Sequence, residues 1–234
     1  MKNPSGFASP RLIWTSLLAF STVLIAIFTG PGLAGAGEPV QGKSEIVILA
    51  FGDSLTAGYQ IPQDKSFPAQ LQAALREKGY PVRVVNSGVS GDTAADGLAR
   101  LDWSLDGKVD GAIVEFGAND ALRGIDPKIT ERSLSAILKG LKDRNIALLL
   151  AGMEAPRNWG QDYDDAFRAI YPRLAQQYGA LLYPFLLKDV ATVRSLNLPD
   201  GMHPTPEGVA VIVRNFLPEA EKLIARIRQT RAAN

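Results

Sequence analysis

The chain has 234 residues, with no cysteine and a single histidine, which excludes disulfides, thiolate metal sites and a histidine-rich zinc centre. Its 25 basic and 24 acidic residues leave a formal net charge of +1. Without a surplus of Lys and Arg, neither a nucleic-acid partner nor an electrostatic membrane patch is expected.

The first element is a leader. Lys2 and Arg11 precede an apolar stretch over residues 12–28, which is followed by Gly-Pro-Gly-Leu-Ala-Gly-Ala-Gly. A basic start, a greasy middle and small residues at the end have the form of a secretory signal. Ala34-Gly35-Ala36 places cleavage after Ala36, so residues 1–36 are read as a signal peptide and 37–44 as a polar linker. Retention as a membrane anchor is the competing reading, but the apolar run falls short of the ~20 residues a span usually needs. The expected destination is the periplasm or the outside medium, with no stable membrane insertion after cleavage.

Residues 45–234 are expected to form one domain with a substantial core. The run 46–51 is continuously apolar, as in a strand covered on both faces. Ser66 can cap a helix running to about Lys78, with Pro68 tolerated in its first turn and Gly79 closing it. Residues 82–85 form a second strand. Asp92 or Thr93 caps a second helix through about Leu105, and 112–116 is the third strand. Asp126-Pro127 opens a third helix to about Asp143, and 146–150 is the fourth strand. A loop bearing Pro, Gly and Trp spans 153–163. A fourth helix over 164–178 is expected to bend at Pro172 and end at Gly179, and 181–185 is the fifth strand. Thr205-Pro206-Glu207 starts the terminal helix, with Pro218 a candidate interruption.

Five strands alternating with helices predict a parallel sheet between two helical layers, because crossover connections point every strand the same way. Loops that follow strands then open on one edge, where open α/β folds bind ligands. Four polar clusters follow strands one, two, three and five. They are Gly52-Asp53-Ser54-Leu55, Ser90-Gly91-Asp92, Gly117-Ala118-Asn119-Asp120 and Asp200-Gly201-Met202-His203. Their convergence makes a candidate active site.

A serine hydroxyl is a weak nucleophile and needs a base to take its proton. His203 is the only imidazole available to Ser54, and Asp200, three residues earlier, can hold the ring by its other nitrogen. The attacked carbonyl becomes an oxyanion that needs donors already aimed at it. Gly91 N–H, the Asn119 side-chain amide and Ser54 N–H are the candidates, with Gly88 as a fallback for Gly91. Each has a plainer reading: Ser54 as a helix cap, Gly88 and Gly91 as turn residues, and Asn119-Asp120 as another cap. Asp53 is read as a turn brace and Asp120 as orienting Asn119; Glu115 sits in a buried strand without an assigned role. Trp159, Tyr163, Leu196 and Leu198 are candidate walls of a substrate pocket, and ordinary packing accounts for each equally well.

These four blocks, in this order, resemble those of the GDSL, or SGNH, hydrolases. Residues 52–59, 90–100, 114–124 and 166–174 are similar to the bacterial periplasmic acyl-CoA thioesterase/lysophospholipase subgroup, whose members are often called arylesterases. The resemblance runs over roughly residues 46–212. It implies a three-layer, flavodoxin-like α/β/α fold with strand order 2-1-3-4-5. It also implies a nucleophile at Ser54, oxyanion donors at Gly91 and Asn119, and an acid/base pair at Asp200 and His203. Two departures bear on substrate preference. Ala118 stands where close relatives often have glycine, and the segment 153–163 differs in detail.

The expected function is hydrolysis of acyl esters (aryl esters, acyl thioesters or lysophospholipids) through an acyl-enzyme, by a monomer that requires no metal or cofactor. A carbohydrate O-acetylesterase would share the machinery. A flavodoxin-like binder of phosphate or flavin would use Ser54, Thr56 and Gly58 as a cradle, leaving Asp200 and His203 idle.

Overall fold

The computed structural model describes residues 44–233; the signal segment 1–36 and the linker up to residue 43 lie outside the described residues. The first apolar run is a central strand, β1 (Ile46–Gly52), with every residue buried. It is followed by α1 (Ser54–Ala57), α2 (Phe67–Glu77), β2 (Val82–Gly88), α3 (Ala94–Ala99), α4 (Leu101–Ser104) and β3 (Gly111–Glu115). Then come α5 (Ala118–Leu122), α6 (Pro127–Lys142), β4 (Ala147–Ala151), α7 (Gln161–Arg168), α8 (Ile170–Tyr178), β5 (Leu181–Tyr183) and α9 (Pro206–Ala233).

The sheet has the order β2-β1-β3-β4-β5, and every pairing is parallel. Gly52 pairs with Gly88 on one side and Glu115 on the other; Glu115 pairs with Ala151, and Ala151 with Tyr183. All five carboxyl ends therefore line up along one edge. Helices α2 and α9 pack together on one face, while α3, α6 and α8 cover the other. The three layers follow from the apolar faces. In α6 the buried residues include Thr130, Leu134, Ile137, Leu138 and Leu141, a stripe at helical spacing. In α9, Val209, Ile212, Val213, Phe216, Ala220, Leu223, Ile224 and Ile227 repeat the pattern.

One of the two expected caps is used, and several boundaries differ from expectation. The second helix is capped by Thr93, which exchanges hydrogen bonds with Asp96 in a capping box. It breaks at Arg100 rather than running unbroken to Leu105. The fourth helix starts at Gln161 and divides at Ala169, one turn ahead of Pro172. Proline has no N–H for the carbonyl four residues back and its ring rejects that carbonyl, so the break falls at Arg168–Ala169. Pro218 leaves α9 continuous, because Pro218 and Arg214, whose carbonyl it frees, both lie on the exposed side. Ser66 stands at the cap of α2, but its hydroxyl turns back to donate to Gln63 O at 2.7 Å. Strand β5 stops at Tyr183, short of Phe185.

Candidate active site

The chain leaves β1 at Gly52 and turns directly into α1. Asp53 caps that turn, its Oδ1 accepting from Leu55 N–H at 3.0 Å. Ser54 is thereby the first residue of the helix, where a backbone N–H has no acceptor within the helix. Its side chain stands at the carboxyl edge of the sheet, in line with the strand ends.

His203 arrives from the far end of the chain. The segment between β5 and α9 closes on itself by an antiparallel bridge between Asn197 and Pro204, with Leu198 N–H donating to His203 O at 2.7 Å. Within it, Asp200 Oδ1 accepts from the N–H groups of Met202 and His203 at 2.9 and 3.0 Å, and Gly201 takes the left-handed conformation the turn requires. The other oxygen, Asp200 Oδ2, lies 2.7 Å from His203 Nδ1, and His203 Nε2 lies 2.9 Å from Ser54 Oγ. The His203 N–H is the largest of the influences that hold the Asp200 carboxyl down at about 2. Hydroxyl, imidazole and carboxylate thus stand in file across 149 residues of sequence separation.

Asn119 comes from the third cluster. Gly117, with φ of +122°, turns the chain from β3 into α5; a Cβ there would fall 2.2 Å from the Tyr171 hydroxyl, which donates to Phe116 O. Asn119 Nδ2 then donates to Asp92 O at 3.0 Å and to Asp53 Oδ2 at 3.2 Å. Both partners are acceptors, which settles the orientation of the amide. Asp120 does not orient Asn119: its carboxylate accepts from Ala94 N–H and Thr130 Oγ1, tying α3 to α6. Asp53 does that work in addition to bracing its turn.

Gly91 sits beside this contact with φ of +91° and open space where a Cβ would be. Its carbonyl accepts from Arg123 Nη2 at 2.8 Å. Gly88 is a poor substitute, since its N–H already donates to Asn86 Oδ1 at 3.0 Å. Arg100 pins the loop from below: Nε donates to Asp92 Oδ2 at 2.6 Å, Nη1 to Ser87 O and Nη2 to Gly52 O. Nothing in the sequence singled out Arg100, or Tyr59, whose ring packs on His203.

Two buried carboxyls lie directly under the site. Burial pushes Asp53 up to about 6. Burial, then the nearby charge of Asp53, raises Glu115 well above the carboxylate range. Thr56, a member of the phosphate cradle considered above, is buried and donates to Glu115 Oε2 at 2.8 Å, so its hydroxyl faces a carboxyl and not an anion site.

A cavity of about 560 Å³ opens beside Ser54 and His203, within the usual size range for small-molecule sites. Ala118, Leu122, Met153, Pro156, Phe185 and Leu187 supply apolar wall. Trp159, Tyr163 and Leu198 do not line it, which corrects the expectation from sequence. The Trp159 indole N–H and the Tyr163 hydroxyl are tied to the carbonyls of Ala121 and Ile125, holding both rings against the α5 turn. Leu198 lines an adjoining depression that shares Thr192, Asn197 and Gly201 with the cavity, and Leu196 is likewise not part of the wall. The loop after β4 does contribute, through its start at residues 153–157. Among the described residues, no group of three or more His, Asp or Glu side chains is placed to hold a metal ion.

A five-stranded parallel sheet in this order, with its polar loops gathered at the carboxyl edge, is the fold of the SGNH hydrolases. The chain belongs to the GDSL-like lipase/acylhydrolase family, whose model matches residues 50–211, and it is a carboxylic ester hydrolase. It is 44% identical over 161 residues to an arylesterase of Vibrio mimicus, covering 68% of this chain and 80% of that one. It is 36% identical over 178 residues to thioesterase 1/protease 1/lysophospholipase L1 of Escherichia coli strain K12, covering 76% of this chain and 84% of that one. Among solved structures, the SGNH-hydrolase family esterase AlinE4 is 47% identical with a TM-score of 0.65, covering 76% of this chain and 96% of that one.

Proposed function

We propose that the protein hydrolyses acyl esters and thioesters by a two-step acyl transfer in which Ser54 is the nucleophile, His203 the general base and Asp200 the group that orients His203. The observation that carries this reading is the unbroken file from Ser54 Oγ through His203 to Asp200 Oδ2, at 2.9 and 2.7 Å. Ser54 Oγ attacks the carbonyl carbon while His203 Nε2 takes its proton, and Asp200 holds Nδ1–H so that Nε2 is the basic nitrogen. The oxyanion is held by the N–H groups of Ser54 and Gly91 and by one Asn119 amide hydrogen, the one otherwise directed at Asp53. The imidazolium returns its proton to the departing alcohol or thiol. Water, deprotonated by the same nitrogen, then attacks the acyl-serine and releases the acid and the free hydroxyl.

The apolar walls favour a hydrocarbon acyl group over a sugar acetate, and aryl esters, acyl thioesters and lysophospholipids are the substrate classes that fit. The leader implies export to the periplasm or beyond after cleavage at Ala36, leaving a monomer with one catalytic domain over residues 45–234.

Three experiments test the reading. A fluorophosphonate probe should label Ser54, and Ser54→Ala should lose both the label and the acylation burst with p-nitrophenyl esters while keeping its fold. Undiminished turnover in Ser54→Ala would sink the assignment. Asn119→Ala should lower kcat by ~10²–10³, the usual loss for one oxyanion donor. N-terminal sequencing of the exported protein should begin at Gly37, and a start before residue 12 would defeat the leader reading.

A further inference from the structure

Asn119 Nδ2 carries two hydrogens and both are engaged, one by Asp92 O at 3.0 Å and one by Asp53 Oδ2 at 3.2 Å. If the amide is to serve an oxyanion, one of them must be surrendered. The longer bond goes to Asp53, yet an isolated carboxylate would be a strong competitor, because charge-assisted hydrogen bonds are shorter and stronger than neutral ones. A concentrated negative charge at that point would also repel the oxyanion as it forms.

Glu115 lies against Asp53. At the end of β3 its side chain is wholly buried, and Oε2 accepts from Asp53 N–H at 3.3 Å and from Thr56 Oγ1 at 2.8 Å. Oε1 is buried with no hydrogen-bond partner among the donors of the described residues. Gly52 makes the arrangement feasible, since a Cβ there would fall 2.5 Å from Glu115 Oε2 and 2.2 Å from Thr56 Oγ1. Two buried carboxylates side by side, one with an orphaned oxygen, are unfavourable unless one of them holds a proton. Oε2 already accepts twice, so Oε1 is the atom left to carry it. The Asp53 N–H bond to Oε2 sets the two side chains beside one another under the same turn, and each carboxyl acts on the protonation of the other.

We propose that Glu115 is a positioning residue: as a neutral acid it donates a hydrogen bond from Oε1 to the Asp53 carboxylate, spreading that charge and loosening its hold on Asn119, so that the amide hydrogen passes to the oxyanion. The proposal rests on the reading of Asn119 as an oxyanion donor. Burial and the Asp53 charge both act to keep the proton on Glu115. Glutamine can replace the donor with its amide; an apolar side chain cannot.

The test compares wild type, Glu115→Gln, the volume-matched Glu115→Met, Asn119→Ala and the Glu115→Met/Asn119→Ala double variant. The infrared spectrum of the wild type at neutral pH should show a protonated-carboxyl C=O band that Glu115→Gln lacks. Glu115→Gln should keep kcat within about 3-fold of wild type, whereas Glu115→Met should lose about 10- to 100-fold in kcat with KM unchanged, the scale of a misaligned group. On the Asn119→Ala background the Met substitution should cost nothing further. Absence of the band, a Glu115→Gln loss as large as that of Glu115→Met, or a Met effect that persists in full without Asn119 would each overturn the proposal. Should Glu115→Met fail to fold, the band and the Gln variant decide alone. The infrared arm needs no substrate, so a protein without esterase turnover would defeat the reading of the site while the band still reports the state of Glu115.

Discussion

The Tyr59 ring packs against the imidazole of His203, with centroids 4.4 Å apart and planes inclined by 38°. The contact covers a face of the imidazole and leaves its two nitrogens to Ser54 and Asp200. Gly58, in the left-handed conformation at the end of α1, turns the chain so that Tyr59 returns toward the residue that starts the same helix.

That packing predicts a positioning effect separable from hydrogen bonding. Tyr59→Phe should match wild type, since the Tyr59 hydroxyl is engaged by the neighbouring Gln60 side chain. Tyr59→Ala should lower kcat roughly 10-fold by freeing the ring to rotate. Steady-state kinetics on a p-nitrophenyl ester checks it, and equal kcat in the Ala variant would show that the ring is idle.

Asp200 predicts both an activity loss and an acid-side stability change. Asp200→Asn should lower kcat by ~10²–10⁴, because an amide cannot hold the Nδ1–H tautomer. The carboxyl sits at about 2 in the folded protein, first through the His203 N–H. A depressed carboxyl contributes stability above its unfolded pKa of about 3.9, and that contribution is lost as pH falls further. Denaturant melts should therefore show wild type losing its advantage over Asp200→Asn between about pH 4 and pH 2. A margin that stays constant across that window would contradict the hydrogen bonding described for the Asp200 carboxylate.

The Asp53 and Glu115 carboxyls act in the opposite sense. Burial lifts Asp53 to about 6 and Glu115 well above its ordinary range. The native state thus retains protons that the unfolded chain has released. The pair's contribution is greatest below about pH 4 and declines as pH rises through the raised values. Glu115→Gln has no proton to release there, so its melting temperature should fall less steeply than that of wild type above about pH 6. Parallel curves would mean that Glu115 is already ionised.

The cavity predicts chain-length selectivity. Leu187→Trp should fill part of the 560 Å³ beside the site, raising KM for medium-chain acyl esters by roughly 10-fold, the scale of one or two lost methylene contacts. Acetyl esters should be unaffected. A uniform loss across chain lengths would place the acyl group elsewhere.

Much of the fold was readable from local patterns. The continuous apolar run at 46–51, the helical stripe of α6 and the Asp126-Pro127 cap are each set by neighbours within a turn or a pleat. The short helices α1 and α5, four and five residues long, have no room for a periodicity to show. Pro172 was visible, but its effect lands a turn earlier, because the group it excludes is a carbonyl four residues back. Tyr59 and Arg100 carried no local signal, and of the cavity walls only Ala118 and the start of the 153–163 loop are marked in the sequence. Trp159 and Tyr163, which looked the part of a wall, spend their polar atoms on backbone carbonyls beneath the loop.

The amino-acid order by itself determined the alternation of strands and helices and the chemical types available at the ends of the strands, since periodicity, capping and turn chemistry act over a few residues. Only the tertiary structure decided which of those groups meet. Parallel register placed Gly52, Gly88 and Glu115 side by side, and a bridge between Asn197 and Pro204 shaped the turn that carries His203. Those contacts join residues far apart in the chain, and burial, which sets the protonation of Asp53 and Glu115, exists only after the layers have closed.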